Sequence, residues 1–122
     1  MFSNLFSAAD ISASGMSAER LRMETVANNI ANANTTRSVD GLPYRRKQLV
    51  FSEILDPRLG NTSGLQGVRV AGMEADQSPF EMVHKPGHQD ADENGMVKMP
   101  NVQIPNEMVD LITASRSYEA NL

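Results

Sequence analysis

The chain has no cysteine and no tryptophan, and only six of its 122 residues are aromatic, two Tyr and four Phe. The lack of cysteine excludes a disulfide framework and thiolate metal sites, and it fits a protein exported to an oxidising compartment. With so few rings, the bulk of any core must come from the eight Met and from Ala, Val, Leu and Ile, so that core is modest. Long apolar runs are also missing. Asp10, Glu19 and Arg20 interrupt the first thirty residues, which have no basic start, so neither a cleavable signal peptide nor membrane insertion fits. Basic charge is scarce: 11 Lys and Arg against 15 Asp and Glu give a net charge of −4. The basic cluster Arg45-Arg46-Lys47 has no aromatic stacking set after it, which argues against nucleic acid as a partner and for the solvent face of a strand. Residues 1–61 carry seven basic and six acidic side chains, and residues 62–122 carry four and nine, so head-to-tail attraction between copies is possible, screened beyond ~8–10 Å.

What is present begins with Ala27-Asn28-Asn29-Ile30-Ala31-Asn32-Ala33-Asn34-Thr35-Thr36, four Asn within seven positions at the close of a helical pattern. A helix stop needs one Asn or Gly, and Asn is a poor interior residue because its amide competes for nearby backbone groups. The surplus amides are therefore expected to bond something beyond their own turn, most simply a neighbouring chain. On that expectation, replacing Asn29 and Asn32 with Ala leaves a soluble monomer and abolishes its assembly. The pattern itself predicts one helix over Ser3–Ala33, about 45 Å long at about 1.5 Å per residue. Its seam, Phe2, Phe6, Ala9, Ala13, Met16, Met23, Ala27 and Ile30, keeps a 3-4 spacing broken only at Arg20, with Leu5, Ile11, Ala18, Leu21 and Val26 beside it. Such a helix, rich in Ala, Ser and Gly, is marginal alone and needs partners.

Val39–Pro43 reads as a turn, Tyr44–Phe51 as a strand, 56–67 as a Gly- and Pro-containing loop, Val68–Ala75 and Phe80–His84 as strands. Asn94-Gly95 before Met96–Met99 is a type I′ hairpin signal. Pro100 and Pro105 bracket an extended link. Asn106 is the expected N-cap of a second helix, with Glu107 and Asp110 in its first turn. Met108, Leu111, Ser115, Tyr118 and Leu122 then repeat the 3-4 spacing beside Ile112, and the pattern reaches Leu122 at full strength, which predicts a helix that runs further or packs at its end. The expected fold class is α+β, with long N- and C-terminal helices pairing as a coiled coil and a small antiparallel β unit between them. The divisions are an assembly helix with its Asn-rich motif over 1–36, the β-rich unit over 37–105 and the second assembly helix over 106–122. The β unit is expected to fold alone and the helical arms to stay loose until assembly.

No chemistry stands out. Asp90-Ala91-Asp92-Glu93-Asn94-Gly95 opens like a calcium loop, but position twelve is Asn101 where a bidentate Glu is needed, and two prolines bar the exit helix. His84 and His88 stand four apart, yet Pro86-Gly87 forbids the helix that would align them. Nucleophile motifs and a Gly-rich phosphate cradle are absent. No catalytic, cofactor-binding or metal residue, no cofactor and no small-molecule substrate are expected. The candidate functional residues are those of an assembly interface: Asn28, Asn29, Ile30, Asn32, Asn34, Met16, Met23, Met108, Leu111, Ile112, Tyr118 and Leu122.

The Asn-rich motif and the ending Glu107-Met108-Val109-Asp110-Leu111-Ile112-Thr113-Ala114-Ser115-Arg116-Ser117-Tyr118-Glu119-Ala120-Asn121 resemble the bacterial flagellar axial proteins, the rod and hook family. Pro86-Gly87-His88, Ala91-Asp92-Glu93-Asn94-Gly95 and Val97-Lys98-Met99-Pro100-Asn101-Val102 are similar to its proximal-rod type. Gln89, where that type more often has Pro, and Met96, where it has an aromatic, depart from it, and its C-terminal helix usually runs further. The resemblance implies a structural, non-enzymatic subunit of the basal-body proximal rod. It would leave through the flagellar type III export apparatus without a cleaved signal. In the periplasm it would join other copies of itself and other rod proteins through its terminal helices, and so transmit torque. The alternative from the residues alone is a non-polymerising helical adaptor that dimerises and binds one partner through the β unit.

Overall fold

A computed structural model describes residues 2–55 and 66–122, with side chains described over 8–52 and 70–122. Helix α1 spans Phe2–Ala31, β1 Lys47–Leu55, β2 Gln66–Ala75, β3 Glu81–His84, β4 Met96–Met99 and α2 Ile104–Ala120. The α+β class holds. The β unit, however, is two separate two-stranded antiparallel ladders, β1 with β2 and β3 with β4. The loop expected over 56–67 falls largely outside the described residues, and Gln66 and Gly67 belong to β2 instead.

The strand expected from Tyr44 starts at Lys47, because the N–H groups of Tyr44 and Arg46 bond outside the ladder. The Tyr44 N–H donates to Thr35 O at 3.0 Å and the Arg46 N–H to Asn101 Oδ1 at 2.7 Å, which leaves Arg46 only its carbonyl for the β2 side, where it accepts from the Asp76 N–H at 2.8 Å. The β1–β2 register runs from Lys47↔Ala75 to Leu55↔Gln66 and shifts between Val50 and Phe51, where Ala71 is the extra residue of a bulge. A lone two-stranded ribbon is marginal in water. This one lies along α1 and still leaves Val50, Phe51 and Met73 exposed.

The second ladder pairs Glu81↔Met99 through His84↔Met96. Its strands are joined by residues 85–95, so Asn94-Gly95 is no type I′ hairpin, which would need positive φ at both. Only Gly95 has it, at 76°. The Asp92 carboxylate bends this corner by accepting the N–H groups of Asn94 and Met96, both at 2.8 Å. A Cβ on Gly95 would lie 3.0 Å from Pro86 Cβ and 3.2 Å from His84 Nε2. Gly95→Ala should therefore lower the urea midpoint by the equivalent of about 2 kcal/mol, the left-handed penalty plus the clash. Gly41→Ala, also at positive φ (79°) but with nothing within 4 Å, should lose only about 1 kcal/mol. Equal losses would show that crowding contributes nothing at Gly95.

Helix α2 begins before the expected Asn106 cap. Pro105 sits in its first turn, where a missing N–H costs nothing. Asn106 is inside that turn, its amide donating to Gln103 Oε1 at 2.5 Å. The two helices pair antiparallel through small and polar residues. Gly15 lies against the Asn121 amide, Ala18 and Ala114 are both buried, and Arg22 approaches Asp110 at 3.9 Å. The face of α1 that packs inside the chain is thus Gly15, Ala18, Thr25, Val26 and Asn29, continued by Ala33 just past the helix. The expected seam points elsewhere, roughly 130° around the helix at about 100° per residue. Ala9, Ala13 and Ala27 are exposed, Met16, Met23 and Ile30 half-buried, and the side chains of Phe2 and Phe6 lie outside the described set. Residue size explains the difference, since only Gly, Ala and Thr let the two backbones approach, whatever the apolar count. Helix pairing is present, but the heptad coiled-coil packing expected through that seam is not established. The core is small as composition requires: Ala33, Tyr44 and Val102 form one cluster, with Val97 and Met99 buried nearby.

Candidate functional site

Helix α1, strand β1 and helix α2 meet at one buried polar junction. Asn29, 1% exposed, sits there with all four hydrogen-bonding positions of its amide occupied. Its Oδ1 accepts from the Tyr44 hydroxyl at 2.6 Å and from the Lys47 N–H at 3.0 Å. Its Nδ2 donates to Lys47 O at 2.8 Å and to Glu107 Oε2 at 3.3 Å. Glu107 is equally buried, and its other oxygen takes the Arg46 Nε–H. Arg46 then reaches Gln48 at 3.1 Å, Asp76 at 3.3 Å and Asp110 at 3.6 Å. Asn101 clamps the same spot from the β4–α2 link, accepting from the Arg46 N–H and donating to Asp76 O at 2.9 Å and Ser78 O at 3.1 Å.

The electrostatics follow from burial and these partners. Burial, then the Glu107 charge, pushes the Tyr44 phenol above its ordinary value. Burial works to lower Arg46, but the hydrogen bond and charge of Glu107, with Asp76 beside them, outweigh it and hold the guanidinium above its usual range. The Ser78 hydroxyl and backbone N–H, more than Arg46, hold Asp76 below the usual carboxylate range. A second clamp lies at the end of the Asn-rich motif. Asp90 accepts from the Thr36 hydroxyl at 2.6 Å and from Arg37 at 2.7 Å, and Thr36 first, then the charge of Arg37, lower its pKa. Asp90 is thus spent tying the 85–95 loop to the helix end. Among the described residues no cluster of three or more His, Cys, Asp or Glu could hold a metal ion.

Two family models match the chain: "Flagella basal body rod protein" over residues 10–37, and "Flagellar basal body rod FlgEFG protein C-terminal" over residues 93–122. Among curated relatives, the flagellar basal-body rod protein FlgC of Borreliella burgdorferi is 42% identical over 134 residues, covering 96% of this chain and 86% of the relative. FlgC of Salmonella typhimurium is 45% identical over 113 residues, 93% and 81% of the two chains, and FlgC of Aquifex aeolicus 45% identical over 120, 98% and 85%. The chain belongs to the FlgC family of flagellar basal-body rod proteins. This is a family of structural rod components and not of enzymes, which places the chain in the flagellar basal body.

The two segments matched by the family models are those that meet at the junction, Asn29 in the first and Asn101 and Glu107 in the second. The expected interface residues of this FlgC-family chain are not gathered at one place. Asn29 points inward, where Lys47, Tyr44 and Glu107 of the same chain take the role expected of a neighbour. Asn32 closes the helix end, donating to Asn28 O at 2.9 Å and Asn28 Oδ1 at 3.0 Å and accepting from the Thr35 hydroxyl at 3.2 Å. Asn28 and Asn34 are exposed, Leu111 and Tyr118 half-buried, and Leu122 is exposed at the end of the chain. Met108 and Ile112, with Val109, stand outward at 51%, 56% and 61% exposure, on the side of α2 opposite the buried Glu107 and Ala114. Sequence reading missed Tyr44, Arg46, Asp76, Asn101 and Glu107. For Arg46 the place expected from sequence is the solvent face of a strand. In fact Lys47 alone of the triplet is exposed, while Arg45 lies over the Phe80 ring at 4.2 Å. An Arg, a Tyr and a Glu in a chain so poor in aromatics were the available signal.

Proposed function

We propose that this chain is a subunit of the proximal rod that assembles through the outer faces of its terminal helices, with copies of itself and with other rod proteins, and so carries torque. It would be exported by the flagellar type III apparatus without a cleaved signal and assemble in the periplasm. The observation that supports this reading is the apolar stripe Met108, Val109 and Ile112, which the fold leaves uncovered although it buries a glutamate on the opposite face. Apolar side chains set outward on a helix anchored at its inner face favour close side-by-side burial over exposure. On α1, the half-buried Met16, Met23 and Ile30 supply a second outward-turned stripe.

Met108→Lys combined with Ile112→Lys should change monomer stability by less than about 0.5 kcal/mol, since both sites are exposed. As the sole copy in a flagellated cell, the same variant should abolish swarming in soft agar. Normal swarming would remove this face from the assembly. Sedimentation at rising concentration separates open-ended growth, expected here, from a plateau at dimer, which would favour an adaptor.

A further inference from the structure

Asn94-Gly95 is the one Asn-Gly pair of the chain. In such a pair an asparagine amide is readily lost, because glycine has no Cβ to shield its nitrogen. The Gly95 nitrogen gives up its proton and attacks Asn94 Cγ. The N–Cγ bond forms, the Cγ–Nδ2 bond breaks, and Nδ2 leaves as ammonia with that proton. Water then opens the cyclic imide at one of its carbonyls. One opening yields Asp, and the other yields an isoaspartyl link, whose backbone carries an additional methylene.

The fold needs the glycine, since Gly95 has φ 76° and a Cβ there would meet Pro86 and His84. It nonetheless holds the pair in a form that resists the reaction. Gly95 is buried, its N–H donates to Asp92 O at 3.0 Å, and its own O accepts from the Lys85 N–H at 2.9 Å. On either side, the N–H groups of Asn94 and Met96 both donate to Asp92 Oδ1 at 2.8 Å. Taking the proton from Gly95 therefore breaks one hydrogen bond and creates an anion beside a carboxylate, which the Asp92 charge opposes. Bringing the Asn94 Cγ up to that nitrogen requires the corner to open. We propose that Asp92 guards a latent deamidation site: the closed 92–96 corner keeps Asn94 an amide, and a chain whose corner is open is modified there. The isoaspartyl product does not close again. Its additional methylene moves Gly95 and Met96 away from Asp92 and displaces the His84↔Met96 pair at the end of the second ladder. Deamidation before folding thus removes a chain from the folded pool.

Basal bodies purified from cells with this chain as the sole copy, and the same chain denatured in guanidinium, are incubated side by side at neutral pH. Mass spectrometry of the peptide holding Asn94 and labelling by an isoaspartyl methyltransferase follow the loss. In the basal body it should be about a hundredfold slower than in the denatured chain. Asp92→Ala should speed it there about tenfold and leave the denatured rate unchanged. Asp92→Asn keeps the oxygen without its charge and should lie between, and it decides the matter if the Ala variant does not assemble. Gly41→Ala strains a different corner and should leave Asn94 as slow as in the wild type, which separates the guard from general loosening. Equal rates in basal bodies and denatured chain, or full protection in the Asp92 variants, would overturn the proposal.

Discussion

Asn29→Ala should be the most damaging single truncation in α1, lowering stability by about 3–4 kcal/mol, although it removes only a small polar side chain. The ledger is one of stranded partners. Lys47 is exposed and its backbone groups can recover water, but the Tyr44 hydroxyl and the Glu107 carboxylate cannot, being 9% and 1% exposed. Each buried group left without a partner costs about 1–3 kcal/mol, more where it is charged. Against a total of roughly 5–15 kcal/mol for a domain, the loss should lower the melting temperature by on the order of 10–20 °C. Asn29→Asp keeps the shape but turns the donor into an acceptor facing Lys47 O and Glu107, so it should be at least as harmful. Asn32→Ala should stay within about 0.5 kcal/mol, since Asn32 bonds only locally, to Asn28 and Thr35. Thermal melts followed by circular dichroism rank the three. If Asn29→Ala melts with the wild type, the junction does not hold the helices.

That ranking reverses the expectation from sequence that Asn29 and Asn32 are equivalent, and the reason is physical. Composition showed that four amides were too many for one helix stop, and it could not show which face each would occupy. At about 100° per residue, Asn29 falls on the side of Ala18 and Thr25, while Asn28 turns outward. The packing face was hidden for a related reason. Counting apolar residues favoured the line through Met16 and Met23, whereas close approach of two backbones selects Gly15, Ala18 and Ala114, which carry little hydrophobic weight. Helix and strand existence was legible because periodicity and the Gly and Pro positions are local properties. Strand starts were not, because β1 is delayed to Lys47 by the bond from the Arg46 N–H to Asn101, 55 residues away. Family membership was legible in the two terminal segments, the same segments the family models match.

The ion pair at the junction supports the second large prediction, which turns on an asymmetry. Arg46→Met leaves Glu107 at 1% exposure with a single amide donor at 3.3 Å and no counter-charge. A buried charge without its partner costs about 3–5 kcal/mol, and that is the expected loss. Glu107→Leu leaves Arg46 better placed, because its side chain is 23% exposed and retains Asp76 and Asp110. Only one donor of Asn29 is stranded, for about 1–2 kcal/mol. The double variant removes the buried charge and its cation together, and the methionine and leucine fill similar volume. It should therefore be more stable than Arg46→Met alone, by about 2 kcal/mol, although it carries one more substitution. Urea midpoints of the four proteins complete the cycle. Losses that simply add would mean that Arg46 acts on Glu107 as a distant charge, and that β1 and α2 are joined by packing instead of by the ion pair. Recovery in the double variant would show that Glu107 is stable in the core only with Arg46 beside it, so that the start of β1 determines whether α2 can dock.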